Sequence, residues 1–386
     1  MVSKLDRLSL VVAGAFAALC PQLPFAPPAL QAATSAVVAS GLVNPRGIAQ
    51  APNGWIYVAE SGNAGGLDCD PPKPPFPGPA VPLTETCLGQ SGAIARVDPT
   101  GVWPPVRIVS GLPSVTNRAL ADAAGPYDIS FNGTGNAIVT VGLGGNVAGR
   151  AELGPDAAAL GNLLKVAPSG QWKFAGDVAA HEESDPDGAG ADSNGFGVLA
   201  LPSRSIVADA GGNSLVEVRA NRRTRTLAVF PAQFAPLPGP PPQPMIPVQS
   251  VPTSVALGPD GWFYVGELTG FPFPAGAARV WRVPPDGGTP EVCATGFTAI
   301  VDVTFDPWGN LYVLEFASGL GFPPNTGRLS RLDSDDVCRA RTDSDRIDVV
   351  LSRPSGVVIG LDGAAYVTNA TFAPFGTGEV LRVTLD

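Results

Sequence analysis

Short segments in which hydrophobic and polar positions alternate recur along the chain. The clearest of them are WIYVAE (55–60), NAIVTVG (136–142), SIVADA (205–210), WFYVGE (262–267), NLYVLE (310–315) and AAYVTN (364–369). Aromatic and β-branched residues in alternation are typical of half-buried β-strands. We interpret each segment as the second strand of a repeated unit, which gives six units.

Each unit contains three further strands around this one. A short turn such as PNG, PDG or LDG precedes the second strand, and these residues favour the positive φ angles of tight hairpins. The third strands are predicted at AIARV (93–97), NLLKV (162–166), LVEVR (215–219), ARVWRV (278–283), RLSRL (328–332) and EVLRV (379–383). Four strands repeated six times predict an all-β fold, the six-bladed β-propeller.

The two ends of this array are each incomplete. The chain finishes on a third strand, and the segment AVVAS (36–40) precedes the first complete unit without a partner of its own. We predict that residues 36–40 pair with residues 379–385, because this pairing completes the last blade and removes an open sheet edge.

The first residues have the features of a secretory leader. Lys4 and Arg7 precede an apolar run at 8–19, which is too short to cross a bilayer. Residues 1–32 are therefore predicted to be a signal peptide, and residues 33–386 a single propeller. We expect an exported protein, periplasmic or extracellular, without a transmembrane segment.

Four cysteines follow the predicted leader. Cys69 and Cys87 flank one proline-rich loop, and an exported chain permits disulfides, so a bridge between them is predicted. The sequence leaves open whether Cys293 and Cys338 pair.

The net charge of −10 argues against nucleic acid or an anionic membrane as a partner. The expected partner is a small molecule or an extracytoplasmic protein. The long connections all join second to third strands or fourth to first strands, so they lie on one face. Long loops on a rigid scaffold commonly carry function, and we expect binding at this loop-rich face.

Polar residues are predicted to converge on that face. The candidates for ligand binding are Arg46, Glu60, Asp128, Asn194, Asp209, Glu267, Asp302 and Glu315, together with Thr253 at the start of a first strand. The oxygens of Asp128, Asn194 and Asp302 form a candidate Ca²⁺ site. Each residue also has a structural alternative, because such side chains accept backbone N–H groups in turns.

The remaining motifs give weaker indications of function. Four aromatic residues of the long loops could stack on a planar ligand, namely Phe196, Phe271, Phe273 and Phe322. The acidic stretch ESDPDGAGADSNG (183–195) lacks the EF-hand order and is interpreted as a solvated loop. His181 is the single histidine, and no nucleophile elbow accompanies it, so no catalytic residue is assigned.

The chain resembles the ScyD/ScyE family, secreted β-propellers related to NHL-repeat proteins. The resemblance rests on VVASGLVNPRGIA (37–49), DSNGFGVLALPSRSIVADAGGNSL (192–215), VPTSVALGPDGWFYVGELTGFPFPAGAARVWRV (251–283) and TGEVLRV (377–383). It implies an exported role in the late assembly or export of an aromatic pigment.

Two functions remain open at this point. The first is a non-catalytic binding or assembly propeller that takes a small, pigment-like ligand. The alternative is a calcium-dependent hydrolase or lactonase, which other six-bladed propellers provide and which requires a carboxylate cluster at the channel. Fold alone does not separate these functions.

Overall fold

The computed structural model describes residues 33–64, 86–117, 123–318, 325–372 and 376–385. Within these residues, six antiparallel sheets of four or five strands form a ring. The chain is therefore a six-bladed β-propeller, and the prediction of the fold is confirmed. No helix in the described part of the chain is long and apolar enough to cross a membrane.

The strands follow the ring in chain order. The first strand, β1 (Ser35–Leu42), belongs to the last blade. Blade 1 contains β2 (Pro45–Gln50), β3 (Ile56–Glu60), β4 (Thr86–Val97), β5 (Val106–Asn117) and the short β6 (Ala123–Ala124). Blade 2 contains β7 (Pro126–Phe131), β8 (Ala137–Val141), β9 (Asn162–Val166) and β10 (Trp172–Asp177). Blade 3 contains β11 (Gly195–Ala200), β12 (Arg204–Asp209), β13 (Ser214–Arg219) and β14 (Thr224–Val229).

The second half of the ring repeats this order after a separate hairpin of β15 (Gln233–Pro236) and β16 (Met245–Val248). Blade 4 contains β17 (Pro252–Leu257), β18 (Phe263–Glu267), β19 (Ala278–Val283) and β20 (Glu291–Phe297). Blade 5 contains β21 (Ile300–Phe305), β22 (Leu311–Glu315), β23 (Gly327–Leu332) and β24 (Arg346–Leu351). Blade 6 contains β25 (Gly356–Ile359), β26 (Ala365–Asn369), β27 (Gly378–Val383) and β1.

The second strands are more buried than their alternating sequences suggest. Every residue of β8, β18, β22 and β26 is buried. Both faces of each blade pack against neighbouring blades, so polar as well as apolar side chains of the second strand are covered. The core consequently lies between the blades.

The ring closes through β1, as predicted. Ser35 lies opposite Val383 and Leu42 lies opposite Gly378 in an antiparallel ladder. Leu42 is 1% exposed and belongs to a hydrophobic cluster that includes Ile56 of blade 1. The strand from the start of the chain thus joins the last blade to the first.

The long connections contain local structure that the sequence did not predict. Two short helices, α1 (Val147–Glu152) and α2 (Val178–Glu182), lie around blade 2. The side chain of Asn146 caps α1 and that of Asp177 caps α2, each accepting a backbone N–H of the first turn. Arg150 donates to both carboxylate oxygens of Asp177, at 3.1 and 2.8 Å, and so ties the two helices together. Single 3₁₀ turns occupy Pro155–Ala157 and Asp343–Asp345.

One disulfide answers a question that the sequence left open. Cys293 on β20 is bonded to Cys338, which follows β23. Disulfides persist in oxidising compartments, so this bond is compatible with an exported protein. The predicted Cys69–Cys87 bridge involves Cys69, which lies outside the described residues.

A buried glutamate on blade 3, paired with three more exposed arginines, gives a pH-dependent prediction. Glu217 accepts hydrogen bonds from Arg204 and Arg219, each at 2.6 Å, and lies 3.4 Å from Arg225. Burial by itself raises the pKa of Glu217, but the bonds from Arg204 and Arg219 and the charge of Arg225 outweigh it and hold this pKa at about 2. Because the pKa is depressed on folding, the stabilisation is present above the unfolded pKa and is lost as pH falls toward 2.

We therefore expect Glu217→Gln to lower the free energy of unfolding at pH 7 by about 1–3 kcal/mol. The difference from the wild type should shrink between pH 4.5, the ordinary value for this carboxyl, and pH 2. Urea denaturation at a series of pH values measures this difference in the free energy of unfolding, with the exposed Glu152→Gln as a control. A difference that stayed constant down to pH 2 would contradict the ion-pair account.

Candidate functional site at the channel mouth

A cavity of about 270 Å³ lies where the first strands of the blades begin. All six blades or the loops that join them contribute to its wall. The lining residues are Arg46, Tyr127, Asn194, Phe196, Ala210, Val251, Thr253, Leu268, Phe273, Val301, Phe316 and Phe372. The wall is therefore mostly apolar and aromatic, with a few polar groups among the rings.

The aromatic side chains form two pairs with a cation between them. The rings of Tyr127 and Phe196 are 4.6 Å apart between centroids, and those of Phe316 and Phe372 are 5.4 Å apart. The guanidinium carbon of Arg46 lies 5.2 Å from the Tyr127 centroid and 4.7 Å from the Phe372 centroid. These distances are in the range of cation–π contacts, so Arg46 connects the two pairs.

Arg46 is fixed by the first two blades. It is the second residue of β2 and is 4% exposed. Its Nε donates to Ser61 Oγ at 3.2 Å, and its Nη2 donates to the carbonyl of Ala123 at 3.4 Å. Ser61 Oγ in turn donates to the carbonyl of Pro126 in blade 2. The planar group is thereby oriented before any ligand enters.

Asn194 and Thr253, both predicted at the mouth, also line the cavity. Asn194 Oδ1 accepts the backbone N–H of Leu143 at 3.1 Å. Its Nδ2 makes no hydrogen bond with a described residue, so it offers a donor. Thr253 Oγ1 donates to the carbonyl of Ile300 at 2.8 Å and so joins blades 4 and 5.

The four carboxylates at the ends of second strands lie outside the cavity wall. Glu60, Asp209, Glu267 and Glu315 are all 0% exposed. Each accepts a hydrogen bond from the segment that leads into the first strand of its own blade. The donors are Val43 N to Glu60, Asn194 N to Asp209, Ser250 Oγ to Glu267 and Thr298 N to Glu315, at 2.6–2.7 Å. They hold the loops at the mouth, and their direct contact with a ligand stays a prediction.

Asp128 and Asp302 follow the cavity residues Tyr127 and Val301 in sequence. Asp128 Oδ2 accepts Val198 N of blade 3 at 2.7 Å. Asp302 Oδ2 accepts Val357 N of blade 6 at the same distance. Each carboxylate therefore links its own first strand to that of the next blade.

The two aspartates interact although their blades are three positions apart in the ring. Burial raises the pKa of Asp128 to about 7, against its backbone hydrogen bonds. Burial and then the negative charge of Asp128 raise the pKa of Asp302 well above its ordinary range. Two carboxylates that repel each other in a desolvated channel keep a proton more readily than isolated ones.

The predicted calcium ligands Asp128, Asn194 and Asp302 each already accept a backbone N–H, and their binding of Ca²⁺ stays a prediction. Asn194 Oδ1 is engaged by Leu143 in the cavity wall, whereas the two aspartates interact with each other. Their carboxylate oxygens each accept a backbone N–H, from Ile129 and Val198 for Asp128 and from Val303 and Val357 for Asp302. Calcium takes six to eight oxygen ligands, so a site here would need further oxygens beside these three side chains.

The stacking candidates divide in three ways. Phe196 and Phe273 line the cavity, Phe271 is 63% exposed and outside its wall, and Phe322 lies outside the described residues.

Two further aromatic residues of the cavity wall, Phe316 and Phe372, were not selected from the sequence. A usable signal exists for Phe316, because it directly follows a second strand, at the same position as the lining residues Ala210 and Leu268.

His181 is separate from this cavity. It lines a groove with Asp177 and Phe174, and its Nε2 lies 2.8 Å from Thr226 Oγ1. Burial lowers the pKa of His181. The histidine is thus engaged away from the aromatic wall.

Comparison with known proteins supports the fold. No protein-family model matches the chain, and no curated protein matches it. Among solved structures, a protein of unknown function from Bacteroides thetaiotaomicron is similar with a TM-score of 0.54 and 10% identity, over 92% of this chain and 76% of that one. A luciferin-regenerating enzyme has a TM-score of 0.50 at 11% identity, over 91% and 95%. A candidate gluconolactonase has a TM-score of 0.50 at 11% identity, over 92% of both chains. At these identities the similarity shows the fold alone, that of six-bladed β-propellers.

Proposed function

We propose that this protein binds a small planar aromatic molecule in the cavity at the channel mouth, as a binding or assembly propeller without catalysis. The observation that carries the proposal is the aromatic wall drawn from separate blades. Tyr127, Phe196, Phe273, Phe316 and Phe372 all line one cavity of about 270 Å³. Aromatic side chains favour offset or edge-to-face contacts with other rings, which a planar ligand provides.

The polar groups of the cavity suggest the substituents of that ligand. The cation–π contacts of Arg46 place a guanidinium beside the rings. Asn194 Nδ2 is a second donor on the same wall. A phenol, carbonyl or carboxylate oxygen on an aromatic ring system suits the positive charge of Arg46 and the N–H of Asn194, since a few placed polar groups usually orient an otherwise apolar ligand.

The resemblance to the ScyD/ScyE family leads to the same class of ligand. That family's association with an extracellular indole–phenol pigment implies aromatic rings with oxygen substituents. We therefore place the protein outside the cytoplasm, after removal of residues 1–32. Its partner there is a small molecule, or an extracytoplasmic protein that delivers one, at the loop-rich face.

Two neighbouring phenylalanines allow a matched test. Phe273 lines the cavity, whereas Phe271 is 63% exposed and does not. With naphthalene-2-carboxylate as the probe in calorimetric titrations, we expect Phe273→Ala to weaken binding about tenfold, since a stacked ring contributes roughly 1.4 kcal/mol. Phe271→Ala should change the affinity less than twofold. Naphthalene-2-carboxamide, the neutral counterpart, should bind more weakly if Arg46 contacts the carboxylate.

Equal losses in both variants, or no binding of either probe, would count against the aromatic site.

A hydrolase of the lactonase type is the second candidate, favoured by the interacting carboxylates Asp128 and Asp302 in the channel. Hydrolysis of glucono-δ-lactone by the wild type that disappears in Asp302→Asn would favour this candidate over binding without catalysis.

A further inference from the structure

Three carboxylates meet between blades 2 and 3, outside the cavity. Glu182 is the last residue of α2, and Asp185 and Asp187 follow in the connection to β11. One carboxylate oxygen from each of these residues lies within 4.8 Å of the other two. The solvated acidic loop expected from the sequence is therefore folded back onto a buried glutamate.

Glu182 is the unusual member of this cluster. Its side chain is 1% exposed, and neither carboxylate oxygen has a hydrogen-bond partner in the described part of the chain. Asp192 Oδ1, from the same connection, is also buried without a partner. Burying a carboxylate without compensation is costly, so native proteins normally pair such groups or place them on a metal ion.

The other two carboxylates are held in position by their own connection. Asp185 Oδ1 accepts Gly190 N at 3.0 Å, and Asp187 Oδ1 accepts Ala189 N at 2.9 Å. Asp187 Oδ2 accepts Asn213 Nδ2 at 2.8 Å. These bonds orient the carboxylates and tie the connection to the turn between β12 and β13.

The backbone of that turn forms the floor beneath Glu182. A Cβ placed on Gly212 would lie 2.3 Å from Glu182 Oε2, so only glycine leaves room for the carboxylate. Four aspartates of the described residues bring negative charge near Glu182, namely Asp185, Asp187, Asp192 and Asp209. A cation bound beside Glu182 would offset these negative charges.

We propose that Glu182, Asp185 and Asp187 form a binding site for a divalent cation, and that Ca²⁺ is the ion that fits it. The ligand atoms are all carboxylate oxygens, which hard cations prefer. The three carboxylate oxygens lie within 4.8 Å of one another. Ca²⁺ accepts several carboxylates in a flexible geometry, whereas Mg²⁺ demands a near-ideal octahedron and keeps several waters, so this donor set favours Ca²⁺.

The site would stabilise the connection that carries part of the cavity wall. Residues 183–194 lead from Glu182 to Asn194 and Phe196, both of which line the cavity. Asp209 holds the end of this connection through Ser193 Oγ and Asn194 N. A cation at the other end would fix the segment at both ends. This inference does not depend on the nature of the ligand in the cavity.

The test uses the mature full-length protein after dialysis against EDTA. Melting temperature and calorimetric titration are measured with Ca²⁺ and with Mg²⁺ at up to 10 mM, because extracellular calcium modules often bind at about 10⁻⁴–10⁻³ M. We expect Ca²⁺ to raise the melting temperature through binding to the folded state. Glu182→Gln and Asp187→Asn should each weaken Ca²⁺ binding at least tenfold, and the exposed control Asp335→Asn should leave it unchanged.

Glu182→Gln carries a second readout that does not depend on calcium. Because Glu182 has no hydrogen-bond partner within the described part of the chain and lies among other acidic groups, the neutral variant in EDTA should have a melting temperature equal to or above that of the wild type. Three results would overturn the site: the same Ca²⁺ response in Glu182→Gln as in the wild type, loss of the response in the channel variant Asp302→Asn instead, or no response of the wild type to either ion. A stronger response to Mg²⁺ than to Ca²⁺ would overturn the choice of ion.

Discussion

Replacing Leu42 with aspartate is expected to destabilise the folded ring by more than about 4 kcal/mol, because it buries an unpaired charge in the core. Leu42 is 1% exposed on β1, opposite Gly378 of β27. It packs in a cluster with Ile56 and Tyr366, which belong to blades 1 and 6. The substitution therefore acts where the first strand of the chain closes the last blade.

An exposed position on the same strand gives the matched control. Val37 lies on the same strand but is 54% exposed, so Val37→Asp should change the free energy of unfolding by less than about 0.5 kcal/mol. Urea denaturation followed by circular dichroism measures both variants. If Leu42→Asp does not fold, Leu42→Ala should still show a loss of about 2–5 kcal/mol. Equal stability of the Leu42 and Val37 variants would mean that β1 does not close the ring in solution.

Removal of the Glu267 carboxylate is the second large effect. Glu267 is fully buried and accepts hydrogen bonds from Arg279 Nε at 2.5 Å, Ser250 Oγ at 2.6 Å and Trp281 Nε1 at 2.7 Å. Glu267→Ala leaves a largely buried guanidinium and two further donors without their acceptor. We expect a loss of about 3–5 kcal/mol, the usual cost of breaking a buried ion pair by removing one partner.

The same blade carries an exposed ion pair for comparison. Arg282 and Glu291 lie 2.8 Å apart with side chains that are 35% and 51% exposed. Glu291→Ala should therefore lower the free energy of unfolding by no more than about 1 kcal/mol. Thermal and urea unfolding of both variants, measured side by side, compare the two losses of stability. A Glu267→Ala variant as stable as Glu291→Ala would contradict the assigned role of Glu267 in holding the mouth loop.

These stabilising contacts and the binding wall share the same end of the ring. Glu267 holds Ser250, and the adjacent Val251 lines the cavity. Asp209 holds Asn194, which lines it as well. The polar residues that converge at the mouth thus divide into those that position loops and those that face the cavity. Variants of the first group should alter binding mainly through the stability of the loops.

Much of the fold could be predicted because the repeat is local. Tight turns with glycine and alternating strands recur in each blade, and each hairpin depends on residues close in sequence. The pairing of β1 with β27 also followed from the sequence, since an unpartnered strand at one end complements a missing strand at the other. The disulfide between Cys293 and Cys338 did not follow, because nothing local sets the distance between β20 and the connection that follows β23.

The candidate site could be predicted from the sequence only in part. The sequence identified Arg46, Asn194 and Thr253 at the mouth and Phe196 and Phe273 as possible stacking residues, since their places in the repeat put them at one end of the ring. It did not distinguish Phe273 from Phe271, because burial of two residues on one loop depends on what the loop packs against. Nor did the sequence separate the carboxylates that hold loops from the residues that face the cavity. The carboxylates end second strands and the cavity residues begin first strands, so both groups lie at the same end of the ring.

Short-range patterns in the sequence specify hairpins and their order, so the six-bladed ring could be predicted from them, together with the expectation that the long loops gather on one face. Which side chains come into contact depends instead on tertiary packing. The aromatic wall joins residues from blades that are far apart in the chain, and Glu182 is brought beside Gly212 of the next blade. Such contacts arise from the packing of whole blades against one another, and no local pattern encodes them.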